Sequence, residues 1–151
     1  MEWLVFVHIV SAILGIGPTY FGHILLRRNQ QDDQLRESLA LFQLLNYFPK
    51  IGGTIAVISG VALVAMSGWK FSDVWILISL VLYVLIQLVV IGMLTPVMSR
   101  LSESINAGEN KPDQSEVHAN RALLLARANL LYNSASIMGT AIIILMVFKP
   151  V

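Results

Sequence analysis

Polar and apolar residues are distributed along this chain in blocks rather than in a fine alternation. Four stretches, residues 3–26, 51–69, 74–99 and 128–148, contain no Asp, Glu, Lys or Arg. An α-helix needs roughly 20 mainly apolar residues to cross a hydrocarbon core of ~30 Å, and each run has about that length. Lipid offers no partner for backbone N–H and C=O groups, so each run is expected to satisfy its own backbone as a helix. A barrel is disfavoured because the runs lack strict polar/apolar alternation.

The pattern continues beyond the runs. From Asp33, the residues Leu35, Leu39, Phe42 and Leu45 recur at helical spacing. The second helix is therefore expected to start at the membrane surface and to bend at Pro49, which removes a backbone donor. The stretch Gly108-Glu109-Asn110-Lys111-Pro112 is rich in turn formers, and Asp113 followed by Glu116 fits a capping box. The last helix should open there and run about 50 Å to Phe148.

Composition agrees with these blocks: of 151 residues, 56% are hydrophobic and 13% charged. Mean hydropathy is +0.73, outside the range of ordinary soluble domains. The first run lacks a basic leader and is too long for a secretory signal core, so a retained helix is expected. Cysteine is absent, which excludes disulfides and thiolate chemistry.

Charge then orients the bundle. Arg27, Arg28, Arg36, Lys50, Arg100, Lys111, Arg121 and Arg127 lie in the two long connections, against only Lys70 and Lys149 on the other side. The positive-inside rule places both connections in the cytoplasm. The expected fold is all-α: an integral membrane four-helix bundle formed by residues 1–151 as a single domain. It should be N-out/C-out, both termini extracytoplasmic, with helices 2 and 4 extended on the cytoplasmic side. The bilayer is the expected partner, and a net charge of +1 gives no reason to invoke nucleic acid.

Candidate chemistry is sparse. Gly52, Ala56 and Gly60 recur every four residues, a small-residue stripe suited to close helix packing within the bundle or in a homo-oligomer. In the first run, Gly15, Gly17 and Pro18 suggest a kink. Asn129, Asn133, Ser136 and Thr140 share one face of the last helix, expected to point inward and bond across helices, with Gln87, Tyr20, Tyr83 or Tyr132 as partners. Paired carboxylates and Cys nucleophiles are missing, so ordinary hydrolytic machinery is not visible and catalysis stays undecided.

The three histidines, His8, His23 and His118, are the remaining candidates for cofactor binding. His23 and His118 belong at the cytoplasmic end, where the two would meet if the last helix packs beside the first. His8 has no second histidine at its depth, and Met138 or Met146 is the alternative axial ligand there. No metal site is expected from the spacing of other residues.

The opening Leu4-Val5-Phe6-Val7-His8-Ile9-Val10, then Gly17-Pro18, Arg27-Arg28, Gly60-Val61-Ala62-Leu63, Gly68-Trp69 and the ending Met146-Val147-Phe148-Lys149-Pro150 resemble an uncharacterised bacterial family of predicted integral membrane proteins, a domain of unknown function. That family is in turn distantly similar to the CopD-like copper-resistance proteins and the HemJ-like protoporphyrinogen oxidases. The resemblance implies a four-helix scaffold in the bacterial cytoplasmic membrane and, at His8, a ligand for haem b. The lysine that accompanies this histidine in the HemJ-like third helix has no counterpart in residues 74–83.

Three functions compete on this footing. The first is a non-enzymatic membrane component that binds a partner or small ligand in the bundle. The alternatives are a haem-binding redox protein using His8 and an oligomeric small-molecule or metal permease. Chemistry, if present, is expected between the His8 face and the polar side of the last helix.

Overall fold

The computed structural model describes residues 1–26, 32–108 and 114–149, and these described residues form six α-helices and one π-helical segment. Four units are long and apolar enough to span a membrane: Glu2–Gly22, Asp33–Met66, Val74–Asn106 and His118–Phe148. The described residues contain no strand. The all-helical, four-span architecture is as the charge-free runs predict.

The first span is α1 (Glu2–Leu25), which carries Pro18 in its interior. The second is divided: α2 (Asp32–Leu45) meets α3 (Tyr47–Met66) at Asn46. The break falls just before Pro49, whose ring would collide with the carbonyl of Leu45 four residues earlier in a continuous helix. The last is α6 (Gln114–Phe148), 35 residues without interruption. Its proposed capping residue Asp113 and the turn at 109–112 lie outside the described residues.

The third span is longer than its charge-free run. Helix α4 (Val74–Gln87) passes into a π-helical segment, Leu88–Leu94, and then into α5 (Thr95–Gly108). Pro96 has no N–H to offer the preceding turn, and the wider turn accommodates this loss. Thr95 closes the π segment, since its backbone N–H bonds the Val90 carbonyl and its hydroxyl donates to the same oxygen at 3.0 Å. Three spans, not two, therefore extend into the end of the bundle that carries most of the Arg and Lys.

Packing differs between the two ends. Helix α3 packs along α1, α1 against α6, and α6 against α4, but no α-carbon of α3 comes within 8 Å of one in α4. At the basic end α2 fills the gap, touching α1, α3 and α5. The main core sits there: Leu35, Leu39 and Phe42 of α2 join Leu94, Val97, Leu101 and Ile105 of the third span and Leu125, Leu131 and Tyr132 of α6. Arg121, buried at that end, donates from Nη2 to the Ser104 carbonyl at 3.1 Å and ties α6 to α5.

At the end bearing the termini the contact of α1 with α3 is inside-out. Trp3, Phe6, Ile9, Ile13 and Ile58 are exposed there and Ser11, Gly52, Gly53 and Ser59 are buried, while Trp75 and Ile142 are the large apolar side chains buried towards this end. Lipid solvates large apolar side chains as well as a protein core does, so close backbone approach through small residues holds these helices together. A Cβ on Gly52 would lie 2.8 Å from the Gly15 nitrogen and 2.9 Å from the Ser11 carbonyl oxygen. Trp69 stacks edge-on against Trp75 with centroids 5.4 Å apart, and Lys149 lies 5.5 Å from the Trp69 ring. Aromatic and basic residues of this kind anchor span ends at the interface.

Candidate functional site

His8 is half-buried between α1 and α3. Its Nδ1 is 2.9 Å from the Ala56 carbonyl oxygen and 3.1 Å from Ser59 Oγ. A carbonyl only accepts, so Nδ1 carries the proton. Ser59 in turn donates to the Ile55 carbonyl at 2.7 Å, leaving its lone pairs for the imidazole. Gly60 makes room for the ring, since a Cβ there would stand 3.0 Å from His8 Cε1.

This geometry permits a test of haem at His8. Tethering Nδ1 to a carbonyl leaves Nε2 with its lone pair, as in a histidine that binds metal. The Cε1 edge of the ring, however, lies flush against α3 at Gly60. His118 is exposed at the opposite end of the bundle, and the His23 side chain lies outside the described residues. No group of three or more His, Cys, Asp or Glu that could hold a metal occurs among the described residues. Met138 and Met146 are packed against the hydrophobic core. No redox step is derived through a haem at His8. His8 here joins two helices.

Three of the four polar residues of α6 meet the first span. Asn129 Nδ2 donates to the Leu26 carbonyl at 3.0 Å, and the Ser136 hydroxyl donates to the Thr19 carbonyl at 3.1 Å. Thr140 and Tyr20 share a hydrogen bond of 2.7 Å between hydroxyls. The face is not uniformly inward: Ser136 is buried and Asn129 half-buried, but Asn133 and Thr140 are exposed. Gln87 does not join them; it pairs with Tyr83, whose hydroxyl reaches across to α3 near Gly53.

The small-residue stripe also has a definite place. Gly52 and Gly60 both face α1, and Ala56 contributes the carbonyl that holds His8. That face is occupied within the chain.

A narrow, partly open cleft, with room for little more than a water molecule, lies elsewhere, near the basic end. Pro18 and Thr19 of α1, Phe42 and Leu45 of α2, Asn46 and Pro49 at the α2–α3 break, Val90 and Leu94 of the π segment and Tyr132 of α6 line it. The Tyr132 ring is held edge-on by Phe42, with centroids 6.3 Å apart, and rests on Gly22. Each prominent irregularity of the spans therefore opens on one cleft: the proline in α1, the break before α3 and the π segment. Irregular backbone at membrane depth is tolerated where it is buried in protein or lines a cavity. Sequence pattern marks the two prolines as kinks but does not bring them together, and the π segment has only the Thr95-Pro96 pair as its trace.

A model of the family described as predicted integral membrane protein (DUF2269) matches residues 2–150. The chain belongs to this family. No curated protein and no solved structure matches it. Similarity to the CopD-like and HemJ-like proteins is not among these findings, and the family description names no ligand or reaction.

Proposed function

We propose that this DUF2269 protein is a non-catalytic membrane component that holds a small, neutral, largely apolar molecule in the cleft between Pro18, Asn46, the π segment and Tyr132. The convergence of three backbone irregularities on that cleft carries the proposal. In this structure the cleft has room for little more than one water molecule, so holding a ligand requires it to widen. Its lining is apolar apart from Thr19, Asn46 and Tyr132, with no charged side chain, so an uncharged ligand with one polar head fits the chemistry. The buried Ser11, Ser59 and Ser79 hydroxyls nearer the termini bond carbonyls of their own helices, which favours holding over passage.

The basic end is assigned to the cytoplasmic side of a bacterial inner membrane, on the eight cationic residues of the long connections. The cleft then opens in the inner leaflet.

Photolabelling tests the ligand site. A dodecanol bearing a diazirine is expected to label residues around 42–49 and 90–94 in membranes. Leu45→Trp, which fills the cleft from a half-buried position, is expected to cut that labelling several-fold. Even labelling over the lipid-facing side chains of α1, such as Ile13, with no response to Leu45→Trp, would overturn the proposal.

A further inference from the structure

The outward face of α6 carries a regular seam. Leu123, Leu130, Ile137 and Ile144 recur every seven residues and are 71%, 65%, 70% and 51% exposed. Asn133 lies beside this row and is exposed. Seven residues are two turns, so this spacing marks one helix face, and exposed rows with it also occur in the third span at Val74, Val81 and Leu88; the seam supplies a surface and does not by itself name a partner. Among the described residues nothing covers Leu123, Leu130, Ile137 or Ile144, because α6 meets α1, α4 and α5 through other faces.

Asn133 indicates what covers it. It lies six residues beyond Arg127, about 9 Å along the axis, within the charge-free run 128–148. Its neighbours Asn129 and Ser136 bond to α1, but the Asn133 amide has no hydrogen-bond partner among the described residues. An amide turned towards hydrocarbon without a partner is costly. It has both donor and acceptor atoms, so an identical amide satisfies it. Copies inserted with one orientation are related by a two-fold axis along the membrane normal, which places the same residue opposite itself at the same depth.

We infer that the chain forms a homodimer in the membrane through α6, with the aliphatic row packing against its counterpart and the two Asn133 amides bonded across the axis. This interface differs from the Gly52, Ala56 and Gly60 stripe, which α1 occupies. It is also independent of the proposed cleft, on another side of α6.

The absence of cysteine makes a direct experiment available. Leu130→Cys and Ile137→Cys are each expected to form disulfide-linked dimers on mild oxidation in membranes. Ile58→Cys on α3, 65% exposed, is expected to form none. Energy transfer between labelled copies in vesicles, followed as lipid dilutes the protein, gives the dimer equilibrium. Asn133→Leu should weaken it roughly five- to thirty-fold, the equivalent of ~1–2 kcal/mol of interhelical hydrogen bonding, while Asn133→Gln retains most of it. Equal cross-linking at Ile58→Cys, or an unchanged equilibrium in Asn133→Leu, would overturn the inference.

Discussion

Replacing Gly52 by alanine probes the contact that holds α3 on α1. The new methyl carbon would stand 2.8 Å from the Gly15 nitrogen, 2.9 Å from the Ser11 oxygen and 3.1 Å from the Leu14 carbonyl carbon. Carbon contacts are comfortable at about 3.5–4.0 Å, so relief requires more than half an ångström of separation. The atoms in the way are backbone, which no rotamer change can move. Overpacking of this kind costs about 1–3 kcal/mol. Alanine also gains up to ~1 kcal/mol over glycine in a helix, which obscures the sign of a single measurement. Gly92→Ala supplies the reference, because Gly92 has nothing within 4 Å of its Cβ position and is exposed in the third span. In equilibrium unfolding from detergent micelles, Gly52→Ala should be less stable than Gly92→Ala by about 1–3 kcal/mol. Equal stability would refute the claim that backbone contact at Gly52 sets the distance between the helices.

Four further outcomes follow from the same structure. His8→Ala removes the bond to Ala56 and leaves space beside Gly60, and should cost about 1–2 kcal/mol in the same unfolding assay. Arg121→Met leaves the Ser104 carbonyl without its charged donor, and should destabilise by about 1.5–3 kcal/mol, with the loss seen as faster hydrogen exchange in α5. Gly22→Ala drives a methyl into the Tyr132 ring, pushing it towards the cleft, and should lower diazirine labelling without abolishing membrane insertion. For topology, a cysteine replacing Glu109 should resist an impermeant thiol reagent applied to intact cells, while one placed after Val151 should react; the reverse pattern would invert the orientation.

The number and position of the spans were legible because charge is so costly in lipid that its absence over 3–26, 51–69, 74–99 and 128–148 marks them. Pro49 marked a bend in one continuous helix, and the structure instead divides the span at Asn46, three residues earlier. The extension of the third span was present as Val97, Met98, Leu101 and Ile105 at helical spacing, but a criterion based on missing charge stops at Arg100. Helix rotation was the weaker inference. A polar row on α6 suggested one inward face, yet Ala128, Leu131, Tyr132 and Ala135 occupy the core and leave Asn133 outside. The partner of His8 is a backbone carbonyl, which every residue has, so no side-chain pattern could point to Ala56. The cleft depends on backbone irregularities from three spans meeting at one depth, a relation between segments that no single segment encodes.

The central claim is that those irregularities build a site rather than merely bend helices. Saturation of photolabelling measures this most directly: with increasing diazirine-bearing dodecanol, incorporation at residues 42–49 and 90–94 should reach a plateau and be competed by unlabelled dodecanol. Incorporation that rises in proportion to the probe and resists competition would mean partitioning into lipid, and would contradict a built site.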